Sequence, residues 1–229
     1  MERYMDSQLG DIKRLLVKMG GWVEQSLADS TNGLFNRNPE LFLRVHNIED
    51  HVNQDQLDVD AACFNLLAKQ APVARDLRVI LSFIKINSDL ERMGDQCANI
   101  AHLGKDLLSL PPLAIPPELK KMVPLVVQMV RDCLNAFVQE DVEKARQVLL
   151  MDDEVDACNK AIHKQMIEHA KAHPKDLDSA LGLILVARNL ERMGDHATNV
   201  AEDIIFVSTG EDIRHGGSHA EHVGSDSGR

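Results

Sequence analysis

Aromatic residues are scarce in this chain of 229 residues, where Phe, Trp and Tyr together make up only 3%. Hydrophobic residues nevertheless reach 44%, so aliphatic side chains and methionine must fill the core. Alanine, leucine and methionine are good helix formers, whereas sheets are enriched in aromatic and β-branched residues. The composition therefore favours a helical fold, in a chain long enough for one large domain or two small ones.

Closely spaced cysteine pairs are also missing. The four cysteines lie far apart in the sequence, and no two of them form a CxxC pattern. This spacing argues against both a zinc knuckle and a disulfide framework. We therefore expect reduced, mostly buried thiols at Cys63, Cys97, Cys133 and Cys158.

Positive net charge and long apolar runs are the remaining absences. The formal net charge is -11, and an acidic surface repels the phosphates of nucleic acids and of anionic membranes. The longest apolar run, at residues 181–187, is far shorter than the roughly 20 residues of a membrane span, and the N-terminus lacks a signal-peptide pattern. We expect a cytoplasmic protein that binds no nucleic acid and reaches a membrane only through partners.

Helical periodicity occupies nearly the whole chain in six segments, interrupted at proline, asparagine and aspartate. The predicted helices end near residues 35, 70, 107, 139, 173 and 208. Four prolines within residues 111–117 exclude helix there, so we predict a stiff linker over residues 109–117. Residues 215–229, rich in Gly, Ser and His, are predicted to be a disordered tail.

The pattern on either side of the linker is a repeat. The sequence Leu-Glu-Arg-Met-Gly-Asp occurs at residues 90–95 and again at residues 190–195. Between the predicted second and fifth helices the offset is three residues longer, so that Val52 corresponds to Val155. We therefore predict an all-α fold of two tandem three-helix bundles related by internal duplication, at residues 1–108 and 118–214.

Oxygen-bearing side chains recur every fourth residue on the third helix of each unit. Residues four apart lie one above another, about 6 Å along the axis, so each set forms a row beside the apolar stripe. The rows are Glu91, Asp95 and Asn99 in the first unit and Glu191, Asp195 and Asn199 in the second. The middle helices carry Asn53, Gln56 and Asp60 in the first unit and Asp152, Asp156, Asn159 and His163 in the second.

Two such rows on adjacent helices can face each other across one groove. Facing carboxylates repel unless a cation lies between them, so the spacing indicates one metal site in each unit. Oxygen ligands favour Mg²⁺, Mn²⁺, Ca²⁺ or iron, while His163 and His196 leave zinc open. An ordinary solvated face, with Arg92 and Arg192 paired to the acids, is the alternative.

A glycine interrupts the third helix of each unit, at Gly94 and Gly194. Glycine within a helix costs about 1 kcal/mol relative to alanine, so its presence suggests close approach by another helix or by a ligand.

Several ordered motifs resemble the PhoU family, the phosphate-specific transport accessory proteins of bacteria. They are Met-Gly-Gly at residues 19–21, Gln-Ala-Pro at residues 70–72, the duplicated Leu-Glu-Arg-Met-Gly-Asp and Gly-Glu-Asp-Ile-Arg-His at residues 210–215. The resemblance covers about residues 7–217 and implies two three-helix bundles. It implies a cytoplasmic, often dimeric regulator without catalysis, which links the phosphate ABC transporter, through its ATPase subunit, to a phosphate-sensing histidine kinase. Such a regulator restrains phosphate uptake and the starvation response.

The resemblance also implies a multinuclear metal site, of iron or zinc in preference to Mg²⁺, Mn²⁺ or Ca²⁺, held by paired acids four residues apart. The matching pairs are Glu91 with Asp95, Glu191 with Asp195, and Asp152 with Asp156. The first unit departs from this pattern, because Glu49 is followed by Asn53 and Asp60 is preceded by Gln56. We therefore predict a weaker or smaller site there, or none.

A metal-dependent hydrolase acting on a phosphate compound is the alternative function, with two ions clamping oxygens. It would need a general base or nucleophile outside the ligand rows, and the sequence offers none that we can identify. The Glu-x-x-His signature of di-iron carboxylate bundles is absent, which argues against a redox di-iron enzyme.

Overall fold

The computed structural model describes residues 4–70, 72, 75–211 and 213 and shows six long helices. A single turn of 3-10 helix, Pro174–Asp176, leads into the last of them. The helices are α1 (Tyr4–Asn36), α2 (Pro39–Gln70), α3 (Arg75–Ser109), α4 (Pro117–Gln139), α5 (Val142–Ala172) and α6 (Leu177–Thr209).

The first and second helices of each unit are separated by the same short break. The first residue after the helix, Arg37 (φ 50°) in the first unit and Glu140 (φ 54°) in the second, takes the left-handed conformation that commonly ends helices. The next side chain then caps the new helix: Asn38 Oδ1 accepts from the Glu40 amide at 3.0 Å, and Asp141 Oδ1 accepts from the Lys144 amide at 3.0 Å. The internal duplication is therefore visible in backbone geometry as well as in sequence.

Each unit is a three-helix bundle, and the two bundles share one hydrophobic core. Helices α1, α2 and α3 pack together, as do α4, α5 and α6, while α3 against α6 and α1 against α4 join the units. Helices α3 and α6 run antiparallel, since Cys97 Sγ lies 3.8 Å from Met193 Sδ whereas Lys85, near the start of α3, pairs with Asp203 near the end of α6. The predicted all-α fold of two tandem three-helix bundles is confirmed.

The proline-containing segment between α3 and α4 packs onto the body of the protein. Leu110, Leu113 and Ile115 are partly buried against the core. Arg37 Nη2 approaches the carbonyl of Leu110 at 3.5 Å, and Ser179 Oγ approaches the carbonyl of Pro111 at 3.5 Å. These contacts tie the segment to both units. The predicted disordered tail, residues 215–229, lies outside the described residues.

The four cysteines are free and buried, as the sequence predicted. Burial raises the pKa of the Cys63 and Cys97 thiols to about 12, so both remain protonated at neutral pH. None of the helices that the structure describes combines the length and hydropathy needed to cross a membrane.

Candidate functional site

Four carboxyl groups of the second unit form one cluster along the groove between α5 and α6. Burial first, and then the charges of Asp195 and Asp156, raise the pKa of Asp152. Burial and then the charge of Asp156 raise the pKa of Glu191. Burial, then Glu191 and then Asp156 raise the pKa of Asp195. Because each group responds to charges on the facing helix, the two acidic pairs lie opposite each other across the groove.

The basic residues around this cluster neutralise it only in part. Lys160 Nζ lies 2.8 Å from Asp156 Oδ2 on the exposed side of α5. The positive charges of Arg192 and Arg188 oppose the rise in the pKa of Glu191. Asp152, Glu191 and Asp195 make no ion pair with any described residue. The groove therefore holds more negative charge than its neighbours compensate.

In the first unit, by contrast, an arginine compensates the two acids of α3. Arg92 lies between the two acids of α3, with Nε 3.5 Å from Glu91 Oε2 and Nη1 3.6 Å from Asp95 Oδ2. Burial and Asp95 raise the pKa of Glu91, while Arg92 lowers it. At the positions that carry Asp156 and Asn159 in the second unit, the α2 side of the groove offers the amides Asn53 and Gln56.

The two acids predicted on α2, Glu49 and Asp60, each contact another side chain of the first unit. Glu49 Oε2 lies 3.4 Å from His46 Nδ1. Asp60 Oδ1 accepts a hydrogen bond from Asn87 Nδ2 at 2.9 Å. The first groove therefore lacks the concentration of charge found in the second.

The remaining predicted site residues lie away from the clusters. Asn99 is exposed on α3. His163 is exposed on α5, seven residues after Asp156, which is about 10 Å along the helix. Asn199 Nδ2 donates to Asp89 Oδ1 of the first unit at 3.2 Å. The structure thus brings Asp152, Asp156, Glu191 and Asp195 together, directs Asn199 to Asp89 and leaves Asn99 and His163 exposed.

Sequence reasoning missed Asp89, which joins the two units. His196 Nδ1 lies 2.9 Å from Asp89 Oδ1, and both side chains are largely buried. The signal was present, because the residue at the matching position of the second unit is Asn189 and the repeat is broken there. His196, which had left zinc open, is directed toward this contact between α3 and α6.

The second-unit cluster suits a cation in its chemistry, although its side chains do not converge on one point. As they stand, no three His, Cys, Asp or Glu side chains in the described ranges could together hold a metal ion. Carboxyls that raise one another's pKa are nevertheless stabilised by a positive ion between them. Ligation would require the side chains to turn inward and Asp156 to leave Lys160.

Comparison with known proteins gives the same family along both units. The protein-family model described as the PhoU domain matches residues 16–103 and again residues 119–204. The "Phosphate-specific transport system accessory protein PhoU" of Serratia marcescens is 33% identical over 94% of this chain and 88% of its own length. The corresponding PhoU homolog of Pseudomonas aeruginosa is also 33% identical, over 94% of this chain and 89% of its own.

Solved structures agree with the sequence comparison. The crystal structure of PhoU from Pseudomonas aeruginosa superposes with a TM-score of 0.86 at 33% identity, covering 90% of this chain and 99% of that one. The phosphate transport system regulatory protein PhoU from Streptococcus pneumoniae gives a TM-score of 0.84 at 28% identity, covering 91% of this chain and 99% of that one. The chain therefore belongs to the PhoU family.

Proposed function

We propose that this protein is a negative regulator of phosphate uptake and of phosphate-starvation signalling. It acts as an adaptor between the phosphate ABC transporter and a phosphate-sensing histidine kinase, and it catalyses no reaction. The observation that carries the proposal is similarity across both units to proteins named as accessory or regulatory components of phosphate transport. An accessory role needs surfaces rather than a reaction centre, and a bundle of long helices supplies such surfaces.

The proposed partners are the ATPase subunit of the transporter and the sensor kinase. Both contacts place the protein in the cytoplasm, and a homodimer is the proposed assembly. The protein reaches the membrane only through these partners, in keeping with its net charge of -11.

The proposed cofactor is a multinuclear metal site in the second unit, of iron or zinc in preference to Mg²⁺, Mn²⁺ or Ca²⁺. Asp152, Asp156, Glu191 and Asp195 would hold it. When bound, the metal would supply a structural cross-link between α5 and α6 and remove the repulsion among these carboxylates. The first groove, where Arg92 already compensates Glu91 and Asp95, is proposed to bind metal weakly or not at all.

The adaptor function is tested by pull-down with the purified ATPase subunit and with the cytoplasmic sensor region of the kinase, each with and without a chelator. We expect the full chain to retain both proteins. If the partners are still retained after chelation, the metal has only a structural role. If they are lost on chelation, binding requires the metal. Failure to retain either partner under both conditions would overturn the adaptor function.

The metal site is tested separately by titrating zinc and ferrous iron into the wild type and two matched variants. We expect Asp156→Ala to remove most of the bound metal and Asp95→Ala to remove little, because the two residues lie in the second and first grooves. Equal losses from both variants would contradict the proposed asymmetry.

A further inference from the structure

The far end of the second unit carries an apolar groove that the acidic cluster does not use. The groove lies between the end of α5 and the beginning of α6, and its volume is about 200 Å³. It is lined by Met166, Ile167 and Ala170 on one side and by Leu177, Leu181 and Ile184 on the other. A concave apolar surface of this kind accepts side chains of another molecule.

A ridge of exposed leucines on α6 begins at the groove and runs beyond it. Leu177, Leu181 and Leu185 are 47%, 48% and 44% exposed. Their spacing of four residues places them on one face of the helix. Exposed leucines are ordinary one at a time, but a row of them beside an apolar groove marks an interaction surface.

The charge around this groove is opposite to that of the whole chain. Residues 160–188, which include both sides of the groove and the leucine ridge, contain four lysines, one arginine and three acidic residues, which gives 5 - 3 = +2 in a chain of net charge -11. Lys171 lines the groove. Lys164 lies two turns earlier on the same face of α5, with Ile167 and the exposed Glu168 between them. Lys164 and Lys171 make no ion pair with the described residues.

The acidic neighbours do not cancel this charge. Glu168 and Asp178 are exposed nearby, while Asp176 is held by His169 Nε2 at 2.8 Å. Lys160 is paired with Asp156, but Lys175 and Arg188 add positive charge at the two ends of the leucine ridge.

The first unit has two of the three ridge leucines, with Lys85 at the position of Leu185, and lacks the two lysines beside the groove. Leu77 and Leu81 occupy the positions of Leu177 and Leu181 and are 36% and 45% exposed. At the offset of the middle helices, Lys164 and Lys171 correspond to Ala61 and Ala68. The two lysines beside the groove therefore have no counterpart at the matching positions of the first unit.

We propose that this groove binds an acidic amphipathic helix of a partner protein. Apolar side chains of that helix enter between α5 and α6, and its acidic side chains pair with Lys164 and Lys171. A concave groove fits inserted side chains better than it fits the flat surface of a lipid bilayer. The overall negative charge also opposes binding to anionic membranes. A second copy docked symmetrically would bring the two lysine clusters together, which is repulsive. The proposal does not depend on which partner supplies the helix.

The test is photo-crosslinking in the native host cells, with p-benzoylphenylalanine in place of Leu181 in the full chain. The matched control carries the same residue in place of Leu81, which is almost equally exposed. Crosslinked products are digested and the partner peptide is sequenced. We expect position 181 to capture a peptide with helical apolar spacing and a surplus of Asp and Glu, and position 81 not to capture it.

A second variant tests whether the charge of Lys171 affects binding without affecting folding. Lys171→Glu in the position-181 protein is expected to reduce the yield of this product on the order of tenfold, because an attractive pair becomes repulsive. Lys171 is exposed, so the melting temperature should stay unchanged. The proposal is overturned by a product with phospholipid, with a second copy of this chain or with a basic peptide. Equal capture at position 81, or no product at position 181, overturns it as well.

Discussion

At the residue scale, the two units differ in how their carboxyl groups are neutralised. In the first unit Arg92 lies within 3.6 Å of both Glu91 and Asp95. In the second, burial and then the like charges of neighbouring acids, Asp156 among them, raise the pKa values of Asp152, Glu191 and Asp195. The same six-residue motif therefore has two electrostatic outcomes: its own arginine pairs with the acids in the first unit, whereas the acids of α5 add like charge to it in the second.

We expect the metal-free protein to lose stability at the second groove as the pH rises. The ordinary pKa values are 3.8 for Asp152 and Asp195 and 4.5 for Glu191, and folding raises all three. A raised carboxyl pKa means that the folded state binds protons more tightly than the unfolded state. This contribution is therefore complete below the ordinary pKa values and is lost as the pH rises through the raised ones. Thermal unfolding in the presence of a chelator measures it.

The control for this experiment is the combined variant Asp152→Asn, Glu191→Gln and Asp195→Asn, which removes the charges and keeps the shapes. At neutral pH the variant should melt above the wild type, and the difference should vanish in acid. Added zinc or iron should reverse the order at neutral pH, because only the wild type keeps the ligands. A melting difference that is independent of pH would contradict the electrostatic explanation.

Glycines give a second prediction at this scale. Gly104→Ala should destabilise the protein by about 1–3 kcal/mol, because a Cβ there would overlap the ring of Phe42. The ring cannot move toward α1, because it already packs against Gly33, where a Cβ atom would lie only 2.6 Å from the ring. Gly194→Ala should be neutral or stabilising by up to about 1 kcal/mol, because the nearest atom would be 3.5 Å away. Urea unfolding of both variants distinguishes the two sites, and destabilisation of equal size would refute this assignment.

At the scale of the helix, each unit depends on a sharp break between its first two helices. The left-handed residues Arg37 and Glu140 end one helix, and the caps Asn38 and Asp141 begin the next. These features use contacts within a few residues, so the breaks are encoded locally. The mid-helix glycines work over a longer range, since Gly20 allows Leu134 of α4 to approach α1 closely.

We expect Asp141→Ala to destabilise the protein by about 1 kcal/mol. The Asp141 carboxylate accepts the Lys144 amide hydrogen bond at 3.0 Å, and alanine leaves that amide without its side-chain acceptor. Asp141→Asn keeps an acceptor and is the matched control. Chemical unfolding should show the loss in the alanine variant only, and a similar loss in both would mean that charge rather than capping matters.

At the scale of the whole molecule, the two units form one folded body. The α3–α6 interface buries Cys97 and Met193 completely and carries the polar contacts of Asp89 with His196 and of Lys85 with Asp203. A unit alone would expose the apolar face of α3 or α6 to water. The duplication is thus visible in the sequence as two units, but each unit needs the other.

We therefore expect two fragments, residues 1–112 and 113–229, to associate when they are expressed together. Burial of the α3 and α6 faces favours the complex, and size-exclusion chromatography with light scattering should find a one-to-one species. Cys97→Arg should prevent association, because it places a charge in the buried interface. Fragments that remain separate and individually folded would contradict a shared core.

The helical fold, the duplication and the helix ends followed from sequence alone. Periodicity, prolines and capping residues act over three to seven neighbours and repeat in both units. The candidate acids on each helix were also visible, because spacing by four places them in one row. Which of these rows meet could not be read in the same way.

Only the tertiary structure decided that the second unit's acids face one another. It also directed His196 and Asn199 to Asp89 and left His163 on the exposed side of α5. The physical reason is that helix formation and electrostatic interactions act between residues at different separations along the chain. Helix formation is governed by residues within a turn or two, whereas the potential at a carboxyl depends on every charge that packing brings near it. Such contacts join residues as distant in sequence as Asp89 and His196, and they depend on how the two units are packed against each other.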